Sequence, residues 1–294
     1  MTNNICRKTI RITITFVCVL AAAAILFRVT GLAAQEKSIP DHGSFTDCQM
    51  CHAETYKMWE TTGHSKAIAR IINTPGAAAD CFGCHTAEGF AAKLDGNKVD
   101  PAKKESFRSV ACVACHKPGS SANPKQLVRD SEKICSECHS QRAVLQGKGA
   151  RGIEDMRNPH SAVTCVSCHM SASNHDMKLF LPNDPALPVG RIDTCVGCHK
   201  DNSQKIRIKQ INDWHDFYKE AMDPIEAGLA EISAAVKANP DLLNADLKAK
   251  LDNVRFNLSI IQRDGSRGAH NLDFALEIMS LASKNIKEIK AVIK

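Results

Sequence analysis

Twelve of the 14 cysteines fall in six copies of one pattern, two thiols separated by two residues and followed at once by a histidine. The copies are CQMCH at 48–52, CFGCH at 81–85, CVACH at 112–116, CSECH at 135–139, CVSCH at 165–169 and CVGCH at 195–199. Thiols at this spacing can add to the two vinyl groups of one porphyrin while the next histidine reaches its iron, so one short segment supplies both tether and ligand. Chance, at this chain's Cys and His frequencies, would give roughly 0.03 such matches. Paired cysteines also build zinc ribbons or close a short disulfide loop, but zinc takes four ligands and has no use for a histidine after every second cysteine. The expectation is six heme c groups, tethered by Cys48, Cys51, Cys81, Cys84, Cys112, Cys115, Cys135, Cys138, Cys165, Cys168, Cys195 and Cys198. Their proximal iron ligands are then His52, His85, His116, His139, His169 and His199.

The chain has 12 histidines, which leaves six outside the motifs: His42, His64, His160, His175, His215 and His270. Six irons need six further axial ligands if each is to be closed on both faces, so the counts match and point to six bis-histidine hemes. His64 and His270 are the strongest distal candidates and His42, close to the start of the mature chain, the weakest. Met50, Met58, Met170 and Met177 lie near motifs and are the competing ligands; a His/Met iron would have the higher potential.

Residues 1–34 carry Arg7, Lys8, Arg11 and Arg28 and no acid, with an apolar run over 12–27 and small residues from Gly31 to Ala34. This is the layout of a secretory signal cleaved near Ala33 or Ala34, or of a retained N-terminal membrane anchor. Either one exports the rest, which suits a periplasmic or otherwise extracytoplasmic protein. The formal charge of +6 falls to +2 without this segment, since 38 bases become 34 against 32 acids. Six hemes would add about 12 propionate charges, so the remaining bases have propionates to neutralise, and no nucleic-acid signature is present.

The elements that must hold these groups differ along the chain. Motif starts recur at intervals of 33, 31, 23, 30 and 30 residues. About 30 residues cannot surround each porphyrin with its own core, so neighbouring hemes must pack on one another. Stretches such as Lys117-Pro118-Gly119-Ser120 allow only short helices here, apart from one expected over 53–72. Beyond Ser203 cysteine disappears and helical periodicity takes over, in Leu247, Leu251, Val254, Leu258 and Ile261 and again in Ala275, Met279, Ala282, Ile286, Ile289 and Ile293. A first long helix is expected from about Gln204 to Lys237, interrupted near Pro224. The fold class is therefore mainly α, in three parts: the leader at 1–34, a loop-rich heme-packing region at 35–202, and a C-terminal bundle of long helices at 203–294. His215 and His270 would tie that bundle to the hemes.

Three stretches resemble the multiheme cytochromes c that include cytochrome c-554, pentaheme nitrite reductase and octaheme hydroxylamine oxidoreductase. These are CQMCHAETYKMWETTGHSKA at 48–67, SVACVACHKPGS at 109–120 and RGAHNLDFALEIM at 267–279. The likeness implies that His64 and His270 are distal ligands and that the chain works in redox chemistry. Lys117 departs from the family's usual glycine, and no histidine follows Ser120 to Asn123. All six motifs end in histidine, whereas nitrite reductases place lysine at their open catalytic heme. The reading is electron transfer, with no catalytic residue, between redox proteins such as other cytochromes, a quinol dehydrogenase or a terminal reductase. The alternatives are a reductase of nitrite, hydroxylamine or a sulfur oxyanion at one open heme, and a quinol dehydrogenase held by its N-terminal helix. A homo-oligomer through the C-terminal helices, or a filament, is a further arrangement the pattern allows.

Overall fold

The computed structural model describes residues 45–119, 121–185, 187 and 193–293, all within one unit spanning Gly43–Lys294. The leader segment with its apolar run at 12–27, and His42, lie outside the described residues. Seven short helices punctuate the first part: α1 (Phe45–Cys51), α2 (Ala53–Glu60), α3 (Ala79–His85), α4 (Ala87–Leu94), α5 (Cys112–Cys115), α6 (Gln141–Leu145) and α7 (Cys165–His169). Three long helices follow: α8 (Gln204–Ala238), α9 (Ala245–Asp264) and α10 (Leu272–Val292). The only β pairing among the described residues is an isolated bridge, His116 to Leu127. No helix among the described residues is long and apolar enough to cross a membrane.

The expected helix over 53–72 stops at Glu60. The Thr61 and Thr62 hydroxyls donate to the carbonyls of Met58 and Trp59 at 2.7 Å each, so they take up the last carbonyls of the turn. The chain then continues in turns to a short 3-10 segment at Ile68–Arg70. In α8 the opposite happens, for the helix runs unbroken through Pro224. Pro224 and Glu220 are both exposed, so the carbonyl that loses its partner faces water.

The long helices are well punctuated. Ser203, Asn244 and Asn271 cap their starts by accepting from the backbone N–H of Ile206, Leu247 and Phe274. Gly265, at φ +69°, ends α9 in the left-handed conformation. The apolar stripes meet in one core containing Ile225 and Ile232 of α8, Val254 and Leu258 of α9, and Phe274, Ile278 and Ile289 of α10. Gly228 lets α8 approach α10 closely, since a Cβ there would lie 2.6 Å from Ile286 Cγ2.

The bundle is also the support for part of the heme-packing region. Val144 of α6 is buried in the bundle core, with Ala150, Ile153 and Met156 packed on it. Asn257, itself buried, accepts from Arg151 N at 2.8 Å and donates to Arg151 O at 2.9 Å. The Asn271 amide donates to Met156 O at 2.7 Å, and that of Asn158 to His270 O at 2.8 Å. These four bonds strap segment 150–158 across the junction of α9 and α10, which fixes where His160 and His270 stand. A second, smaller core gathers Trp59, Ala87, Phe90, Ala111, Ala114 and Ile134, with Trp59 Nε1 donating to Val110 O at 2.9 Å. It ties together the segments around the second, third and fourth motifs.

Candidate heme-ligand pairs

Among the described residues, four motif histidines each face one histidine from outside the motifs. Ring centroids are 5.8 Å apart for His139 and His64, 6.2 Å for His116 and His175, 6.1 Å for His199 and His160, and 6.2 Å for His169 and His270. An iron midway between two imidazoles requires about 2 Å to each nitrogen and about 1.1 Å more to each ring centre, or about 6.2 Å in all. Every facing pair joins a motif histidine to a spare one, so the pairing is selective. None of the 12 motif cysteines is in a disulfide, and no cluster of three or more Cys, His, Asp or Glu in metal-binding geometry occurs among the described residues. The residues thus fit a porphyrin iron between rings better than the zinc or disulfide arrangements of the same motif.

Several rings are fixed through their other nitrogen, which leaves Nε2 for a metal. Nδ1 of His116 bonds Lys125 O at 3.0 Å, that of His85 bonds Ala67 O at 2.9 Å and that of His175 bonds Ser173 O at 2.9 Å. Nδ1 of His270 bonds Asp264 Oδ1 at 2.6 Å. The His64 Nδ1 stands 2.9 Å from Met177 Sδ, so this methionine supports a ring from behind. Burial lowers the pKa of His64, His139, His160 and His169, and the opposing histidine adds to the fall for His64, His160 and His169. All four are held neutral at pH 7, the form that binds iron.

The other candidates are placed differently. Among the described residues, His52 and His85 have no histidine ring opposite them. His215 sits on α8 beside Asp216 and the loop of Arg267; burial first, then Arg267, lowers its pKa. The structure does not bring His215 against a motif histidine.

The motifs touch in an order that is not their order in sequence. The Cys48 and Cys112 thiols are near neighbours, as are Cys84 with Cys138 and Cys135 with Cys165. Cys115 neighbours Cys135, and Cys168 neighbours both Cys195 and Cys198. The spatial path therefore runs from the first motif to the third, fourth, fifth and sixth, with the second branching from the fourth.

Sequence reasoning missed Asp193 and Arg207, which hold the sixth motif. Their side chains are 2% and 7% exposed and form a two-bond ion pair, Nε to Oδ1 at 3.0 Å and Nη2 to Oδ2 at 2.6 Å. Asp193 Oδ1 also accepts from Val196 N, and Arg207 Nη1 donates to Asn202 O. Burial alone would raise the Asp193 pKa, but the bonds and charge of Arg207 overcome it and the carboxyl falls below its usual range. The signal was local: an acid two residues before the motif and a base at an inward position of the next helix.

Facing histidine pairs beside CxxCH motifs are what a multiheme cytochrome of the c type requires. Three family models match the chain: cytochrome c554 and c-prime over residues 47–117, the doubled CXXCH motif over 105–144, and cytochrome c552 over 157–293. Together the three matches run over most of residues 47–293; they make the chain similar to multiheme c-type cytochromes and support binding of heme c. It is similar to the crystal structure of the outer cell wall cytochrome OcwA, at 27% identity and a TM-score of 0.67, covering 79% of this chain and 50% of that one. It also shares its fold with an undecaheme cytochrome from the S-layer of Carboxydothermus ferrireducens, at 20% identity and a TM-score of 0.55, covering 77% of this chain and 40% of that one. The chain thus spans about half the length of these relatives or less. No curated protein sequence matches it.

Proposed function

We propose that the chain carries six heme c groups and passes electrons along them between redox proteins outside the cytoplasm. The observation that carries this is the set of four pairings between motif and spare histidines. Each supports an iron closed on both faces, which exchanges electrons without binding substrate. His64, His160, His175 and His270 are then the distal ligands of the fourth, sixth, third and fifth hemes. Contacts between motifs support an unbroken path from the first heme to the sixth. The heme supplies the reversible one-electron chemistry; the protein holds the rings neutral, orients them through Nδ1 and sets the spacing. Export of the chain fits the leader segment and the outer cell wall setting of OcwA.

A second reading has one specific observation behind it. His215 stands with the Arg267 loop rather than against a motif histidine; on this second reading it is not a ligand, and the first or second heme would keep one face for a small ligand. One experiment separates the two. Purified holoprotein should hold six hemes per chain, be fully reduced by dithionite and be reoxidised by a soluble ferric chelate. Reoxidation by nitrite or hydroxylamine, saturating with substrate, would favour a reductase, and fewer hemes than six would overturn the count.

A further inference from the structure

Asp264 is a carboxylate buried against an axial ligand. Its side chain is 3% exposed, and Oδ1 accepts from His270 Nδ1 at 2.6 Å. Its other oxygen is held by Ser266, whose backbone N–H donates to Oδ2 at 3.2 Å and whose hydroxyl donates to the same atom. Ser266 Oγ in turn accepts from His270 N at 3.2 Å, so Asp264, Ser266 and His270 close a ring of hydrogen bonds at the C-terminal end of α9. The other oriented rings lean on neutral partners: carbonyls for His85, His116 and His175, a thioether for His64. Within this group His270 alone has a charged one.

A carboxylate that accepts from the ligand's far nitrogen makes the imidazole a stronger electron donor, and so favours the ferric over the ferrous iron. The neutral acceptors at the other rings do this far less. We propose that Asp264 is a positioning residue that lowers the potential of the fifth heme, the one tethered by Cys165 and Cys168, below those of its neighbours on the path. On the path 1–3–4–5–6 this heme lies between the fourth and the sixth, so an electron crossing the molecule meets an uphill step there. Asp264 thereby sets how readily charge passes between the two ends. This rests on the reading of His169 and His270 as the axial pair.

The test is a potentiometric titration of the holoprotein with electron paramagnetic resonance of the oxidised state. His270→Ala first checks the pair: it should turn one low-spin heme high-spin, and an unchanged low-spin count would reject the ligand assignment rather than the tuning. With the pair in place, Asp264→Asn should favour reduction of one heme about tenfold, an upward shift of about 59 mV for one electron. Its heme count should stay unchanged. Ser259→Ala, on the last turns of the same helix with its hydroxyl donating to Phe256 O rather than to the ring or the carboxylate, should leave every midpoint in place. Midpoints unmoved in Asp264→Asn, or moved equally in Ser259→Ala, would overturn the proposal. If Asp264→Asn does not assemble, Ser266→Ala decides: it removes a donor from the carboxylate and should shift the same midpoint downward, while no shift or an upward one rejects the idea.

Discussion

Replacing Arg207 with alanine should loosen the sixth motif and destabilise the whole protein. Asp193 is 2% exposed and its partner 7%, so the substitution strands a carboxylate in the interior and also frees Asn202 O. Breaking a buried pair from one side costs about 3–5 kcal/mol, because the remaining charge keeps its desolvation penalty and loses its compensation. For a unit of this size, each kcal/mol lowers Tm by about 2–4 °C, which gives a fall of roughly 6–20 °C. Circular dichroism at 222 nm on matched holoprotein samples would read it. Asp193→Asn in the same background removes the stranded charge while keeping an oxygen for Val196 N–H, so the double variant should recover at least half the loss. A fall below about 2 °C in the single variant, or no recovery in the double, would refute the reasoning that this pair is a buried brace.

Other outcomes follow from the same geometry. His64→Ala should open the fourth heme and add one equivalent of carbon monoxide binding per chain to whatever the parent binds, measured by titration of the reduced protein. Burial holds the His64, His139, His160 and His169 pKa values below the ordinary 6.5. With folded values depressed, the unfolded chain binds more protons at acid pH. Stability from these groups is therefore full above about pH 6.5 and lost as the pH falls through their folded values. An acid titration should show low-spin absorbance declining in that direction, and loss toward alkaline pH instead would contradict it. Gly228→Val should cost about 1–3 kcal/mol in thermal melts, since even its Cβ would meet Ile286 at 2.6 Å.

Much of the site was legible because its chemistry is local. A pair of thiols and a histidine within five residues must act on one porphyrin, whatever the fold. The long helices were legible for a similar reason, as periodic apolar residues record a buried face, and α9 and α10 follow that record closely. Pairing was not legible. His64 meets His139, 75 residues on (139 less 64), and His270 meets His169 across 101, and neither partner carries a local mark of the other. Counting alone treated His215 and His175 as equals, yet only His175 is brought to a motif ring. The helix expected over 53–72 was too long because the two threonine hydroxyls after Glu60 compete for its last carbonyls. Pro224 misled in the other sense, since its cost depends on whether the lost bond faces water. Division of the chain at 202 follows cysteine content, whereas packing places Val144 and segment 150–156 on the bundle.

Iron-edge anomalous diffraction from crystals of the holoprotein would locate each metal directly. The account predicts an iron midway between His64 and His139, between His116 and His175, between His160 and His199, and between His169 and His270, with a further iron beside His52 and one beside His85. An iron on the outer side of any of those four pairs, or a spare histidine of the four left unbound, would contradict it.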